Sequence, residues 1–221
     1  MRHARRAHQL AIPGHVVFVH GLFVTGSESL VLRRRLERQF GFRVHRFHYR
    51  TVPSTMAEVV QSLQRFVHEL QVPRVHFVGH SLGGLVIYRF LERYPRQPVG
   101  RVVFLGTPCR PSLAALSINR NSRILAALMN YSAAQELVRA RERRWTMKRD
   151  LGIIAGTQRV GVGQLVARFN EASDGTVAVS ETQLPGATSH IVLPVSHLGM
   201  LMSARVASET GLFLREGHFS W

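Results

Sequence analysis

Gly79-His80-Ser81-Leu82-Gly83 places a hydroxyl where it can act as a nucleophile. The run before it, Arg74-Val75-His76-Phe77-Val78, is β-branched and aromatic and predicts a buried strand. The run after it, Gly84 to Tyr94, has helical length and stops at Pro95. Strand, tight turn and helix around a serine form the setting of a nucleophile elbow. The turn strains the Ser81 backbone, and the flanking glycines let strand and helix approach. The hydroxyl then stands above the sheet at a helix N-terminus, where the dipole favours developing negative charge. The chemistry that suits such a group is acyl transfer through a covalent intermediate.

A serine hydroxyl is a weak nucleophile at neutral pH and needs a base within hydrogen-bond reach. The chain has 12 histidines, so position must select among them. Behind an elbow the partners follow in the order Ser, acid, His, with the histidine after the last strand. His190, His197 and His218 lie late enough. The last strand is read as Ile191 to Val195, which puts His197 directly after it, His190 before it and His218 past the final helix. His197 is therefore the expected base. Only two aspartates exist. Asp150 precedes a strand and Asp174 follows it, in Glu171-Ala172-Ser173-Asp174-Gly175-Thr176, so Asp174 is the expected acid and Glu171 the reserve. An Asp-Gly turn or a helix cap would explain Asp174 without catalysis. The oxyanion needs donors: the backbone N–H of Leu82 from the elbow, and that of Leu22 from the loop after the first strand. His20 reads as a structural residue holding that loop.

These residues must be carried by elements, and the pattern supplies them. Strands are expected at His15–Val19, Phe42–Tyr49, the elbow run, Val99–Leu105, Leu151–Ala155 and Ile191–Val195. Helices are expected from about Glu28 to Phe40, after the capping box Thr55-Met56-Ala57-Glu58, after the elbow, and from about Met200 to Arg215. Alternating strands and helices imply βαβ units and a mainly parallel central sheet flanked by helices. Ligands then bind beyond the carboxyl ends of the strands, where each motif falls. Repeats and low-complexity linkers are absent from the sequence, so residues 1–221 read as one domain. Cys109 to Arg149 breaks the alternation. Helical stretches are expected at Ile124–Met129 and Ala133–Lys148, either as a lid over the site or as an ordinary crossover packed on the sheet.

Composition bounds the rest. The 221 residues carry 29 Lys+Arg against 13 Asp+Glu, with Lys148 the one lysine. Such a charge attracts phosphate, yet the arginines are scattered along helices and no nucleic-acid module is present, so nucleic acid is not expected as a partner. A helix over Ala133–Lys148 would set Arg139, Arg141, Arg143 and Arg144 beside Trp145 and Met147. That face would suit peripheral contact with an anionic membrane, with a plain solvated face as the simpler reading. The single cysteine, Cys109, excludes an internal disulfide, and the basic N-terminus lacks a secretory apolar core, so a cytoplasmic setting is expected. The one close histidine pair, His45 and His48, lacks a nearby carboxylate and lies on a strand; no metal and no cofactor are expected.

Val19-His20-Gly21-Leu22, Gly79-His80-Ser81-Leu82-Gly83-Gly84, Asp174-Gly175-Thr176-Val177 and Val195-Ser196-His197 together resemble a small α/β-hydrolase of the bacterial lipase and esterase kind. The resemblance covers nearly the whole chain, with the motifs in family order. It implies Ser81 as nucleophile, Asp174 as acid, His197 as base, and Leu22 and Leu82 as oxyanion donors. The likeness is to compact lipases with little or no cap, from which the Cys109–Arg149 insertion departs. It implies an esterase or lipase acting on lipid or small acyl esters. An acyltransferase or thioesterase with the same triad is the alternative. A non-catalytic protein binding anionic lipid or nucleic acid is the alternative of another class, and a complete triad argues against it.

Overall fold

His15-Val16-Val17-Phe18-Val19 is apolar on both sides, as a central strand of a parallel sheet must be. The computed structural model describes residues 14–51, 53–111, 133–137, 142–159 and 171–220. Within them the strands are β1 (His15–Val19), β2 (Arg43–Phe47), β3 (Val75–His80), β4 (Val99–Leu105), β5 (Leu151–Gly156) and β6 (Ser189–Leu193). They form one sheet in the order β2-β1-β3-β4-β5-β6, every neighbouring pair parallel. All six carboxyl ends therefore lie on one edge. The chain's direction across the sheet reverses between β1 and β3, which opens a crevice there.

Helices cover both faces. On one face α2 (Met56–Glu69) and α3 (Leu82–Arg93) pack over Val17, Val19, Phe77, Val102 and Phe104. On the other, α1 (Leu30–Phe40) and α4 (Ala204–Glu216) pack over Val16, Phe18, Val78, Val103 and Leu105. The alternation along each strand thus feeds two cores. Local signals explain the ends. Thr55 Oγ1 accepts from the Glu58 N–H at 3.3 Å while Glu58 Oε2 accepts from the Thr55 N–H at 2.8 Å, the expected capping box of α2. α1 closes on Gly41, at φ +69°.

Three expectations shift. β6 spans Ser189–Leu193 rather than Ile191–Val195, because its register is set by pairing with β5 (Gly152 beside Ser189) and Pro194 cannot donate to a ladder. The C-terminal segment starts as a 3-10 turn, Gly199–Leu201, and becomes helical only after Ser203, whose hydroxyl accepts from the Val206 N–H at 3.3 Å. Ile124–Met129 lies outside the described residues. Of Ala133–Lys148, residues Ala133–Leu137 form a buried 3-10 turn, and residues 142–148 are not helical.

Candidate active site

β3 delivers His80 to the carboxyl edge, and the chain turns into α3 within one residue. Ser81 sits at φ +54°, ψ −126°, a region that costs a residue with a side chain about 1–3 kcal/mol and persists only when its surroundings enforce it. The enforcement is visible. The Ser81 N–H donates to Leu105 O at 2.9 Å, and the Gly84 N–H donates to Ser81 O at 3.1 Å. A Cβ on Gly83 would stand 2.1 Å from the Val19 carbonyl oxygen, so only glycine lets α3 start this close to β1. The first N–H groups of α3 have no partner within the helix. That of Leu82 is the first of them, directly after the serine.

β5 and β6 bring the second half together. His197 Nδ1 lies 2.7 Å from Asp174 Oδ2, with both residues buried. The other carboxylate oxygen, Oδ1, accepts from the Thr176 N–H at 2.9 Å and the Val177 N–H at 2.7 Å. The Asp-Gly turn read as a structural alternative is thus the device that aims the carboxylate. The backbone closes the arrangement, since the His197 N–H donates to Asp174 O at 2.9 Å. An imidazole that donates from Nδ1 carries its lone pair on Nε2, the state a general base needs. Gly106, at φ +53°, lies beneath the pair: a Cβ there would come within 2.9 Å of Asp174 Oδ2 and 3.1 Å of His197 Nδ1.

His80, to which sequence reading assigns no role, ties the two halves together. Its Nε2 lies 3.0 Å from the His197 carbonyl oxygen, which can only accept, so Nε2 carries the proton. The two rings are 4.6 Å apart at their centroids. Burial first, then the neighbouring His197, pushes the His80 imidazole down to about 3. His80 therefore stays neutral at ordinary pH and cannot serve as a base there; it fixes the His197 segment beside the serine. The signal that could have found it is its place inside the elbow, where a side chain points inward from a fully buried strand.

The loop after β1 closes the crevice. His20 is fully buried, with Nδ1 2.9 Å from Gly21 O and Nε2 accepting from the Tyr49 N–H at 3.3 Å. Tyr49 Oη donates to His20 O at 2.9 Å, and the two rings stack. Both ring nitrogens are thus spent on the backbone. A Cβ on Gly21 would stand 3.0 Å from Ser81 Cβ, so this loop lies directly against the serine and carries Leu22 to its side.

The other sequence candidates fall elsewhere. Asp150, at the amino edge, pairs with Arg101 at 3.0 Å. Glu171 accepts from Ser180 Oγ at 2.7 Å. His190 lies within β6, its Nε2 2.8 Å from Thr182 Oγ1, and His218 faces Glu216 near the C-terminus. Residues 142–149 are not helical; Arg143 and Trp145 turn inward while Arg144 and Lys148 stay exposed. Trp145 is buried between Tyr88 and Phe104, with Nε1 donating to Arg149 O at 2.7 Å. Arg143 is buried against Glu136 at 3.0 Å. This corrects the expected lipid-facing helix, since its indole and one of its arginines are core groups; Arg139 and Arg141 lie outside the described residues. Cys109 is buried, which pushes its thiol up to about 12 and leaves it unreactive. His45 stacks on His15, not on a metal partner, and no group of three potential metal ligands occurs among the described residues. Nor is any described helix long and apolar enough to cross a membrane.

Residues 16–209 match the model of the alpha/beta hydrolase family. Among solved structures, the mature lipase BlEst2 of Bacillus licheniformis superposes with a TM-score of 0.74 at 19% identity, over 97% of this chain and 95% of that one. The carboxylesterase CesB of Bacillus subtilis gives a TM-score of 0.59 at 14% identity, over 95% of this chain and 86% of that one. The phospholipase PlaB of Legionella pneumophila gives 0.64 at 17% identity, over 90% of this chain and 57% of that one. At these identities the likeness is one of fold.

Proposed function

The chain belongs to the alpha/beta hydrolase family, and we propose that it is a serine hydrolase of carboxylic esters, carried by one domain, with Ser81, His197 and Asp174 as its triad. The observation that carries this reading is the buried 2.7 Å bond from His197 Nδ1 to Asp174 Oδ2, held beside a serine at φ +54°. His197 Nε2 takes the Ser81 proton as Oγ attacks the ester carbonyl. The oxyanion that forms is met by the N–H groups of Leu22 and Leu82. Collapse expels the alcohol, which takes the proton from His197 and leaves Ser81 acylated. Water then repeats the sequence with His197 as base and releases the acid. Asp174 keeps the imidazole in the right tautomer and stabilises its charged form. No step asks for a metal or organic cofactor.

Three proteins sharing the fold are a lipase, a carboxylesterase and a phospholipase, which supports an ester as the substrate. The test is covalent labelling with a fluorophosphonate, together with hydrolysis of a chain-length series of p-nitrophenyl esters. Ser81→Ala should abolish labelling and lower kcat by roughly 10³- to 10⁶-fold. Full labelling in that variant would refute the assignment. Transfer of the acyl group to an added alcohol in place of hydrolysis would redirect it to an acyltransferase.

A further inference from the structure

Among the described residues, the large apolar side chains most open to solvent are Phe23, Leu30, Val31, Val192, Leu198 and Met202. All but Val192 lie on two segments at the rim of the site. Phe23 follows Leu22 in the loop against Ser81 and is 60% exposed, while Leu198 follows His197 and is 55% exposed. Leu30 and Val31 open α1, the helix that continues the Phe23 loop. The segments are joined, since Arg35 on α1 donates through Nη1 to the Met202 carbonyl. The end of β2 is tied to the first segment: the Phe23 N–H donates to Thr51 Oγ1 at 3.3 Å, and Arg46 donates to Ser27 Oγ at 2.8 Å.

Charge on this side is lopsided. Arginines 33, 34, 35, 46 and 50 stand on the first turns of α1, near the end of β2 and just after it, against Glu28 in the rim loop. Burial first and then the charge of Arg46 lower the Arg33 guanidinium, which shows how closely these cations crowd. Leu30 and Arg34 stand at i and i+4, so they share one stripe at the start of α1. At 1.5 Å per residue, Arg34 trails Leu30 by about 6 Å along the axis. That matches an apolar tip sunk about 5–10 Å into a lipid surface with cations left at the phosphates.

We propose that this rim is a docking face for an anionic lipid bilayer, set so that the mouth of the site opens onto the membrane. The proposal rests on the ester-hydrolase reading for its purpose and not for its test. Attraction to anionic headgroups comes from Arg34, Arg46 and Arg50, which are exposed and in no ion pair among the described residues. Phe23, Leu30, Val31, Leu198 and Met202 supply the apolar insertion. The buried Arg143 and Trp145 take no part.

Co-sedimentation of the full chain with phosphatidylglycerol/phosphatidylcholine vesicles tests it, with pure phosphatidylcholine for comparison. Binding should require the anionic lipid and should collapse at high salt, where the screening length shrinks to about 3 Å at 1 M. Arg34→Gln/Arg46→Gln/Arg50→Gln should weaken binding roughly fivefold per residue, about a hundredfold in all. Leu30→Ser/Val31→Ser/Met202→Ser should lower it as well. Arg74→Gln/Arg93→Gln/Arg96→Gln removes equal charge at the opposite edge and should leave binding unchanged. Ser81→Ala should bind as the parent does, so this readout stands apart from catalysis. Both arginine triples should hydrolyse a short soluble ester at the parental rate. Equal binding to neutral vesicles, equal loss in the opposite-edge triple, or no sedimentation with anionic vesicles would overturn the proposal. A dimer that buries Phe23 and Leu198 while ignoring vesicles would assign the face to a second copy instead.

Discussion

Replacing Asp174 with asparagine exchanges one oxygen for an NH₂ group, and the surrounding bonds decide which. At the Oδ1 position two donors converge, the N–H groups of Thr176 at 2.9 Å and Val177 at 2.7 Å. An NH₂ group there would face two N–H groups and lose both bonds, so the amide oxygen keeps that place. The NH₂ then occupies the Oδ2 position, 2.7 Å from His197 Nδ1 in the parent. His197 can meet it only by accepting at Nδ1, which moves its own proton to Nε2. The nitrogen that should take the Ser81 proton is then a donor. The same tautomer error in a serine protease lowers kcat by about 10⁴-fold, or about 5.4 kcal/mol of barrier. We expect a loss of 10³- to 10⁴-fold here by that precedent, with a nearly unchanged melting temperature because the backbone bonds at Oδ1 survive. The assay is steady-state kcat on p-nitrophenyl butyrate, corrected for folded enzyme by circular dichroism. Asp150→Asn is the control: its pair with Arg101 is largely solvent-accessible and lies at the opposite edge, so activity should stay within about twofold. A folded Asp174→Asn enzyme that loses less than tenfold would refute the tautomer argument.

Two further outcomes concern stability. Burial holds His80 down to about 3 and His76 to about 4, so the unfolded chain, at about 6.5, takes up protons first on acidification. Stability from these histidines is complete above about pH 6.5 and is lost below it, by about 2 kcal/mol each at pH 5. Thermal melts from pH 8 to pH 5 check this, and a flat midpoint over that range would contradict it. Glu136 is a buried carboxylate that accepts from Arg89 at 2.8 Å and Arg143 at 3.0 Å. Burial works to raise its carboxyl, but the bonds from the two arginines bring it below the usual range. Glu136→Gln leaves those cations underpaired and should cost about 3–5 kcal/mol in a urea melt, whereas a loss under about 1 kcal/mol would show that the cluster does not anchor residues 142–149.

What was legible in the sequence is what short-range chemistry decides. The capping box at Thr55 and Glu58 needs only four residues to form, and β1 carries its burial in five. The elbow is legible for the same reason, because the space for α3 is made by Gly79 and Gly83, each two positions from Ser81. The places where sequence reading slipped are those decided by partners far along the chain. β6 starts at Ser189 because Gly152 of β5 is beside it, and no pattern within residues 189–195 contains that pairing. Residues 142–148 have helical spacing, yet they form no helix. A tryptophan buried against Tyr88 and Phe104, and an arginine buried against Glu136, together outweigh a propensity worth tenths of a kcal/mol per residue.

The site itself shows the same division. Ser81, Asp174 and His197 could be picked by type and order, but order alone cannot bring them together. That depends on β3, β4, β5 and β6 being consecutive in the sheet, so that Ser81 bonds to Leu105, Gly106 underlies His197, and His197 bonds back to Asp174. His80 belongs wholly to the second kind. Its neighbours in sequence mark it as a spacer between a glycine and the serine, while its ring reaches 117 residues ahead to hold the backbone of His197. A side chain that points inward from the elbow touches both the Ser81 turn and the His197 loop. An imidazole there can donate one fixed bond while staying neutral, because burial has removed its proton affinity. The elbow therefore does more than present a hydroxyl: through the residue before Ser81 it also holds the His197 segment in place.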